Sequence, residues 1–262
     1  MSEVLLLRLL IAFVSGWLVV AAVTTVADIY GAGRAGFLGG LPSTGPVGLL
    51  LIGWSQSQAA AVQATSIFPL AFCVTFAFLL FYSLPVHRTF GPRITIALLL
   101  WLVLSILVAS SQFDDFFISI TVSIVLSLII LVAHRRIGIG DLMPVKTGFN
   151  LGRTFWRGAL GGCVVGGVVI LSALGGPLVG GVFAAAPAIW TSSLYVTYRA
   201  QGLEFTRSLT KSFMIVGIIT VLPYIAAAHY LFSAVGVWWG TLLAYVAISP
   251  TALLGWRLTR SR

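Results

Sequence analysis

Residues 94–133 read ITIALLLWLVLSILVASSQFDDFFISITVSIVLSLIILVA, and their only charges are Asp114 and Asp115. Two apolar blocks, Ile94 to Ser110 and Phe116 to Ala133, flank a short polar turn. A bilayer-crossing helix needs roughly 17–25 mostly apolar residues, because about 30 Å of hydrocarbon is covered at 1.5 Å per residue. Both blocks meet that length, and no soluble helical hairpin of this size could cover both faces with so little polarity. The segment predicts two transmembrane helices joined outside the hydrocarbon.

Working outward, the same texture covers the chain. Of 262 residues, 59% are hydrophobic before 28 glycines are added, and only 8% are charged. Soluble domains carry near ~25% charged residues. A soluble globular protein is therefore excluded, and an all-α polytopic membrane bundle is expected. Nine apolar blocks are expected as spans. They are Val4 to Ala27, Phe37 to Gln56, Ser66 to Leu84, Ile94 to Ser110, Phe116 to Ala133, Phe155 to Leu174, Pro177 to Tyr198, Ser212 to Phe232 and Val237 to Trp256. The first is too long for a signal-peptide core and follows Glu3 rather than a basic cluster, so it reads as a retained span.

The charges test this count. Net charge is +9, yet the basic residues stand singly between apolar blocks, a loop pattern and not a nucleic-acid patch. With nine alternating spans, one side of the membrane receives Arg34, Arg88, Arg93, Arg135, Arg136, Lys146, Arg153, Arg157, Arg199, Arg207, Lys211, Arg257, Arg260 and Arg262. The other side receives only Arg8, which could snorkel to the headgroups. Cytoplasmic segments collect Lys and Arg. The expectation is a multi-pass cell-membrane protein with an outer N-terminus and a cytoplasmic C-terminus. Lipid headgroups are partners of the connection from His134 to Thr154, whose basic residues serve as phosphate contacts or topology anchors.

A shift of 141 positions aligns Gly39-Gly40 with Gly180-Gly181, Pro46 with Pro187, Ala59 with Ala200, Thr65 with Thr206 and Phe72 with Phe213. It also sets Trp54 against Tyr195 and Gln63 against Glu204. The expected organisation is a four-span repeat over 1–111, a connector span and loop over 112–153, and a second four-span repeat over 154–262. Five crossings separate the repeat starts, so the two units would be inverted. That arrangement recurs in secondary transporters, whose sites lie at the repeat interface.

The candidate site follows from the breaks. Gly39-Gly40-Leu41-Pro42-Ser43-Thr44-Gly45-Pro46 cannot form a regular helix, since each proline removes a backbone donor. Irregular backbone at membrane depth is tolerated where it is buried in protein or lines a wet cavity. A half-helix starting near Pro46 would aim its amides at such a cavity and favour anions, with Ser43 and Thr44 adding hydroxyls. Alternatively, the stretch is a loop just outside the bilayer, with Ser43 or Thr44 as N-cap. The counterpart contains Pro187 followed by Thr191, Ser192 and Ser193. It reads either as a kink or as a second half-site. Pro42, Ser43, Thr44, Pro46, Pro187, Thr191, Ser192 and Ser193 are thus the candidate pathway residues.

Span six carries Gly158, Gly162 and Gly166 at four-residue spacing, a groove for close helix packing within the chain or against another subunit. Gln56, Gln58 and Gln63 are expected in an outer loop, and Glu204 with Arg207 in an inner one. No carboxylate is expected near the midplane, which argues against a proton relay of the usual intramembrane kind. His87, His134 and His229 fall in separate segments, and Cys73 and Cys163 make no CxxC pair. No metal site and no cofactor are expected. GxxxxGK[ST], HExxH and GxSxG are absent, so no enzymatic activity is expected.

From Gly39 to Phe81 the chain resembles a group of prokaryotic integral membrane proteins of unknown function. From Arg157 to Arg257 it resembles the small GlpM-like membrane proteins. If such proteins work as pairs, the resemblance implies that this chain fuses one pair. The functional expectation is a transporter-like or solute-permeating protein for a small solute or ion. The alternative is a non-transporting scaffold or accessory subunit, in a homo-oligomer or with a partner membrane subunit. A lipid-handling enzyme would need a polar catalytic cluster that the sequence lacks.

Overall fold

The computed structural model describes residues 3–30, 41–86, 88–139 and 150–260. Among them every regular element is a helix. The order is α1 (Glu3–Tyr30), α2 (Thr44–Ser55), α3 (Gln58–Ser83), α4 (Phe90–Ser110), α5 (Phe116–Arg136), α6 (Leu151–Gly175), α7 (Pro177–Ala184), α8 (Ala188–Val235), α9 (Val237–Ala247) and α10 (Ser249–Arg260). Five helical stretches among the described residues are long and apolar enough to cross a bilayer, and the bent pair at Ile248 makes up to six.

The breaks between helices have local causes. Gly176 and Gly236 stop α6 and α8 at φ of 87° and 83°, a left-handed conformation that side chains with a Cβ avoid. Gly202, at φ 79°, divides α8 into an arm over 188–201 and a longer arm over 203–235. Ser57, Asp115 and Asn150 cap α3, α5 and α6 by accepting from amides three residues on, at 3.1, 2.9 and 3.0 Å, each satisfying an otherwise orphaned donor.

Several boundaries differ from the sequence reading. The third span was expected from Ser66, but α3 starts at Gln58. Alanines 59–61 are strong helix formers, so one cap at Ser57 suffices and the intervening loop shrinks to Gln56 and Ser57. Gln58 and Gln63 are consequently helical, not looped. The eighth block starts at Leu203, not Ser212, which places Glu204 and Arg207 on the first turn after the Gly202 kink. The described part of the second block is only the 12-residue α2; Gly39 and Gly40 lie outside the described residues, as do Arg34, Asp141, Pro144 and Lys146.

α3 is the central element. In its most apolar stretch 78% of residues are buried, against 28% in α4 and α5, which present Leu and Ile to the outside. The long arm of α8 runs antiparallel to α3: Thr65 meets His229, Gly217 faces Phe72 and Phe76, and Tyr82 meets Thr206. α1 and α6 are also antiparallel. Ala12 packs with Val165 and Val169, Phe13 faces Gly162, and Trp17 faces Gly158 while donating Nε1–H to the Phe155 carbonyl at 3.2 Å.

Polar contacts collect at the two ends of the bundle. At one end Arg8 Nη1 donates to the Ser55 carbonyl at 2.6 Å, so it closes the C-terminus of α2 instead of standing free. Gln56 donates to Ser172 Oγ at 2.6 Å, and Gln58 to the Ser233 carbonyl at 3.2 Å. His229 belongs to this end, stacked on Phe116 with ring centroids 3.9 Å apart. At the opposite end Arg93 donates to the Tyr82 carbonyl at 3.1 Å. Arg207 there donates to the Ser83 carbonyl at 2.9 Å and to Glu204 at 2.7 Å. His134 and Thr210 meet at 2.7 Å.

Candidate functional site

Pro42–Pro46 and Ala184–Pro187 line one cavity. Phe68, Phe72 and Thr75, near the middle of the 26-residue α3, form its wall together with Trp190 of α8. The cavity therefore lies about half-way along the bundle. Its volume is about 40 Å³, room for a few waters or one small ion. None of its lining residues is charged.

Sequence dictates how the two breaks come so close. Residue 45 is glycine, and a Cβ there would lie 2.8 Å from the Phe68 ring and 3.3 Å from the Ala184 carbonyl oxygen. On the other side, a Cβ on Gly181 would strike the Ala64 backbone. Only glycine lets α2, α3 and α7 approach to this distance.

Each break has its freed carbonyl satisfied from another helix. Tyr245 of α9 donates to the Pro42 carbonyl at 2.9 Å. Thr75 donates to the Ala185 carbonyl at 2.7 Å and accepts from Trp101 Nε1 of α4 at 3.2 Å. Within the second break, the amides of Ala185, Ala186 and Ala188 bond to the carbonyls of Val182, Phe183 and Ala186. Those acceptors are thus consumed. Ser43 and Thr44 are each 8% exposed, and the Ser43 side chain makes no capping bond to α2. At the starts of α8 and α2, the Thr191 amide bonds to the Pro187 carbonyl at 2.8 Å and the Val47 amide to the Ser43 carbonyl at 3.5 Å.

Of the candidate residues, Pro42, Ser43, Thr44, Pro46 and Pro187 line this cavity, while Thr191, Ser192 and Ser193 do not. Ser192 bonds back to the Ile189 carbonyl at 2.9 Å, and Thr191 Oγ1 is buried without a partner. They sit a turn further along α8, which carries them past the break. Trp190 lies between Phe72 and Phe213, at 5.6 and 5.9 Å, and closes the cavity on that side.

The glycine groove of α6 is filled by α1. Cβ atoms on Gly158 and Gly162 would lie 2.7 Å from Trp17 and 2.6 Å from the Phe13 carbonyl, and one on Gly161 would overlap Val20. Gly166, expected in the same seam, has nothing within 4 Å of its Cβ position, although Val165 and Val169 on either side of it join Ala12 of α1 in one apolar cluster. The seam is Gly158, Gly161 and Gly162.

Thr75, Trp101, Tyr245, Phe68 and Trp190 escaped the sequence reading. A tryptophan or tyrosine in mid-span is a usable signal, since its polar tip needs a partner when buried. Among the described residues no three His, Cys, Asp or Glu side chains converge. No protein-family description, curated protein or solved structure shows significant similarity to this chain.

Proposed function

We propose that this protein is a transporter-like or solute-permeating protein of the cell membrane, built from two inverted four-span units around a shared mid-membrane site. The observation that carries the reading is the convergence of the start of α2, at 41–46, and the break at 185–187 on one cavity half-way along the bundle. Broken helices with their ends at a midplane cavity are the construction expected of secondary transporters.

Nine crossings follow if α7 and the first arm of α8 form one broken span, the second arm another, and α9 with α10 the last. α2 is the matching half-helix of the first unit. Inversion is supported by the antiparallel α1 and α6, and by Tyr245 and Trp101. These two come from the fourth span of each unit, and each serves the break of the other unit, Trp101 through Thr75. The basic end, with Arg93, Arg207 and Lys211, faces the cytoplasm in this reading, as does the C-terminus.

The scaffold reading drew on the glycine groove of α6. Intrachain filling of that groove by α1 removes its motive, and no other observation favours a partner subunit.

The test is access. With Cys73 and Cys163 replaced, single cysteines at Ser43 and at Pro187 are challenged with an impermeant thiol reagent from each side of sealed vesicles. The expected result is labelling whose sidedness changes with solute gradients, together with solute flux in the same vesicles. Cysteines sealed from both sides under every condition, with no flux of any solute, overturn the reading. So do terminal tags that face the same compartment.

A further inference from the structure

We propose that the cavity between the start of α2 and the break at 185–187 takes an uncharged polar molecule of the size of formamide or urea. The inference rests on the pathway reading and deepens it by naming the solute class.

Opposed helix ends keep the cavity close to electrical neutrality. The amino ends of α2 and α8 reach it, and each acts as about half a positive charge. The carboxyl end of α7 reaches it too, since Ala184 lines the cavity together with Ser43 and Thr44. That end acts as about half a negative charge, so it offsets the preference for anions that amino ends alone would give. α2 and α7 meet closely here: the Ala184 carbonyl oxygen lies 3.3 Å from where a Cβ on Gly45 would stand. At the start of α8, the Ala188 and Thr191 amides are already bonded to the Ala186 and Pro187 carbonyls. Among the described residues, none that lines the cavity is charged. An ion of either sign would therefore give up its hydration without meeting a full opposite charge, and that is costly. A neutral molecule loses far less.

The polar groups at the cavity suit a solute that both donates and accepts. Hydroxyls such as those of Ser43 and Thr44 can give a proton or take one. The regular helical partner of the Ala184 carbonyl would be the Ala188 amide, but that amide bonds to the Ala186 carbonyl at 2.9 Å instead. Ala184 thus keeps acceptor capacity for an N–H. Phe68, Phe72 and Trp190 supply aromatic rings, apolar surface against which a small planar amide packs. Volume sets the size limit. About 40 Å³ is room for about three waters, which matches the few heavy atoms of formamide or urea and falls short of glycerol.

The experiment is stopped-flow light scattering on proteoliposomes of the full chain. Inward gradients of formamide, urea, glycerol and sodium chloride are applied in turn, the urea at sub-denaturing concentration, with water flux measured alongside. Formamide and urea are expected to enter several-fold faster than in protein-free vesicles, while glycerol, sodium and chloride are not accelerated. Ser43→Ala with Thr44→Val slows urea entry roughly tenfold, as loss of hydrogen bonds to a polar ligand does. The conservative pair Ser43→Thr with Thr44→Ser keeps most of the flux, which guards against a folding defect. Sodium or chloride entry with formamide and urea held out overturns the inference and leaves the pathway standing, as does acceleration of water alone. Urea entry indifferent to the Ala/Val pair overturns the assignment to this cavity. Vesicles that pass no solute at all remove the pathway reading, and this inference with it.

Discussion

Thr65 and Thr206, 141 positions apart in the chain, each meet a ring group on the opposing helix. Thr65 Oγ1 lies 2.7 Å from His229 Nδ1, and Thr206 Oγ1 lies 2.8 Å from the Tyr82 hydroxyl. Each threonine also gives its own proton to a carbonyl three residues earlier, Val62 at 2.5 Å and Leu203 at 2.7 Å. A hydroxyl has one proton, so with that proton given to the carbonyl the ring group is the donor. The two pairs tie α3 to the long arm of α8 near its opposite ends.

Double-mutant cycles test this relationship. Thr206→Val with Tyr82→Phe, and Thr65→Val with His229→Phe, are each expected to show a coupling of about 0.6 kcal/mol, within the range known for interhelical hydrogen bonds in membranes. Reversible unfolding in mixed micelles measures it. Additive losses in both cycles mean the bonds do not hold the helices together.

The α1–α6 seam gives a prediction whose sign differs between neighbours. Gly161→Ala and Gly162→Ala overpack against Val20 and the Phe13 carbonyl, with an expected loss of about 1–3 kcal/mol. Gly166→Ala meets open space and gains helix propensity, up to about 1 kcal/mol. Thermal stability in detergent ranks the three; equal behaviour would show the seam to be elsewhere.

Removing the support of either break should destabilise the protein; Thr75 is part of the cavity wall, whereas Tyr245 is not. Tyr245→Phe strands the buried Pro42 carbonyl, and Thr75→Val strands that of Ala185 as well as Trp101 Nε1. An unsatisfied buried polar group costs about 1–3 kcal/mol. Thr75→Val leaves two groups stranded, so its melting temperature is expected to fall further than that of Tyr245→Phe.

Gly45→Ala fills the gap between the breaks, with Phe68 and the Ala184 carbonyl in the way. Solute flux in proteoliposomes is expected to drop roughly tenfold, as when a reacting or binding geometry is displaced by a fraction of an ångström to an ångström, while size-exclusion behaviour stays monodisperse. Undiminished flux would place the permeation route away from this junction.

At the ion pair, Glu204→Gln is expected to change stability by less than about 1 kcal/mol, because Glu204 is exposed and surface pairs contribute little. Arg207→Met costs more, since it also abandons the Ser83 carbonyl. Comparison of the two by the same unfolding measurement separates charge pairing from the backbone contact.

Composition and block length determined the class of this protein on their own, since uninterrupted apolar runs have no soluble alternative. The prolines and glycines at 42–46 and at 187 likewise announced broken helices, because a missing amide proton is a local, covalent fact. Where those breaks go was not local. Pro46 and Pro187 were paired by a weak repeat, but their meeting at one cavity depends on Gly45 and Gly181 admitting other backbones. Spacing within one helix carries no information about which backbone arrives. For the same reason a regular four-residue period suggested Gly166 as a packing position, whereas no atom of another helix comes within 4 Å of its Cβ position. Tertiary structure alone decided that Tyr245 and Thr75 satisfy the Pro42 and Ala185 carbonyls, because hydrogen-bond satisfaction is settled between distant segments.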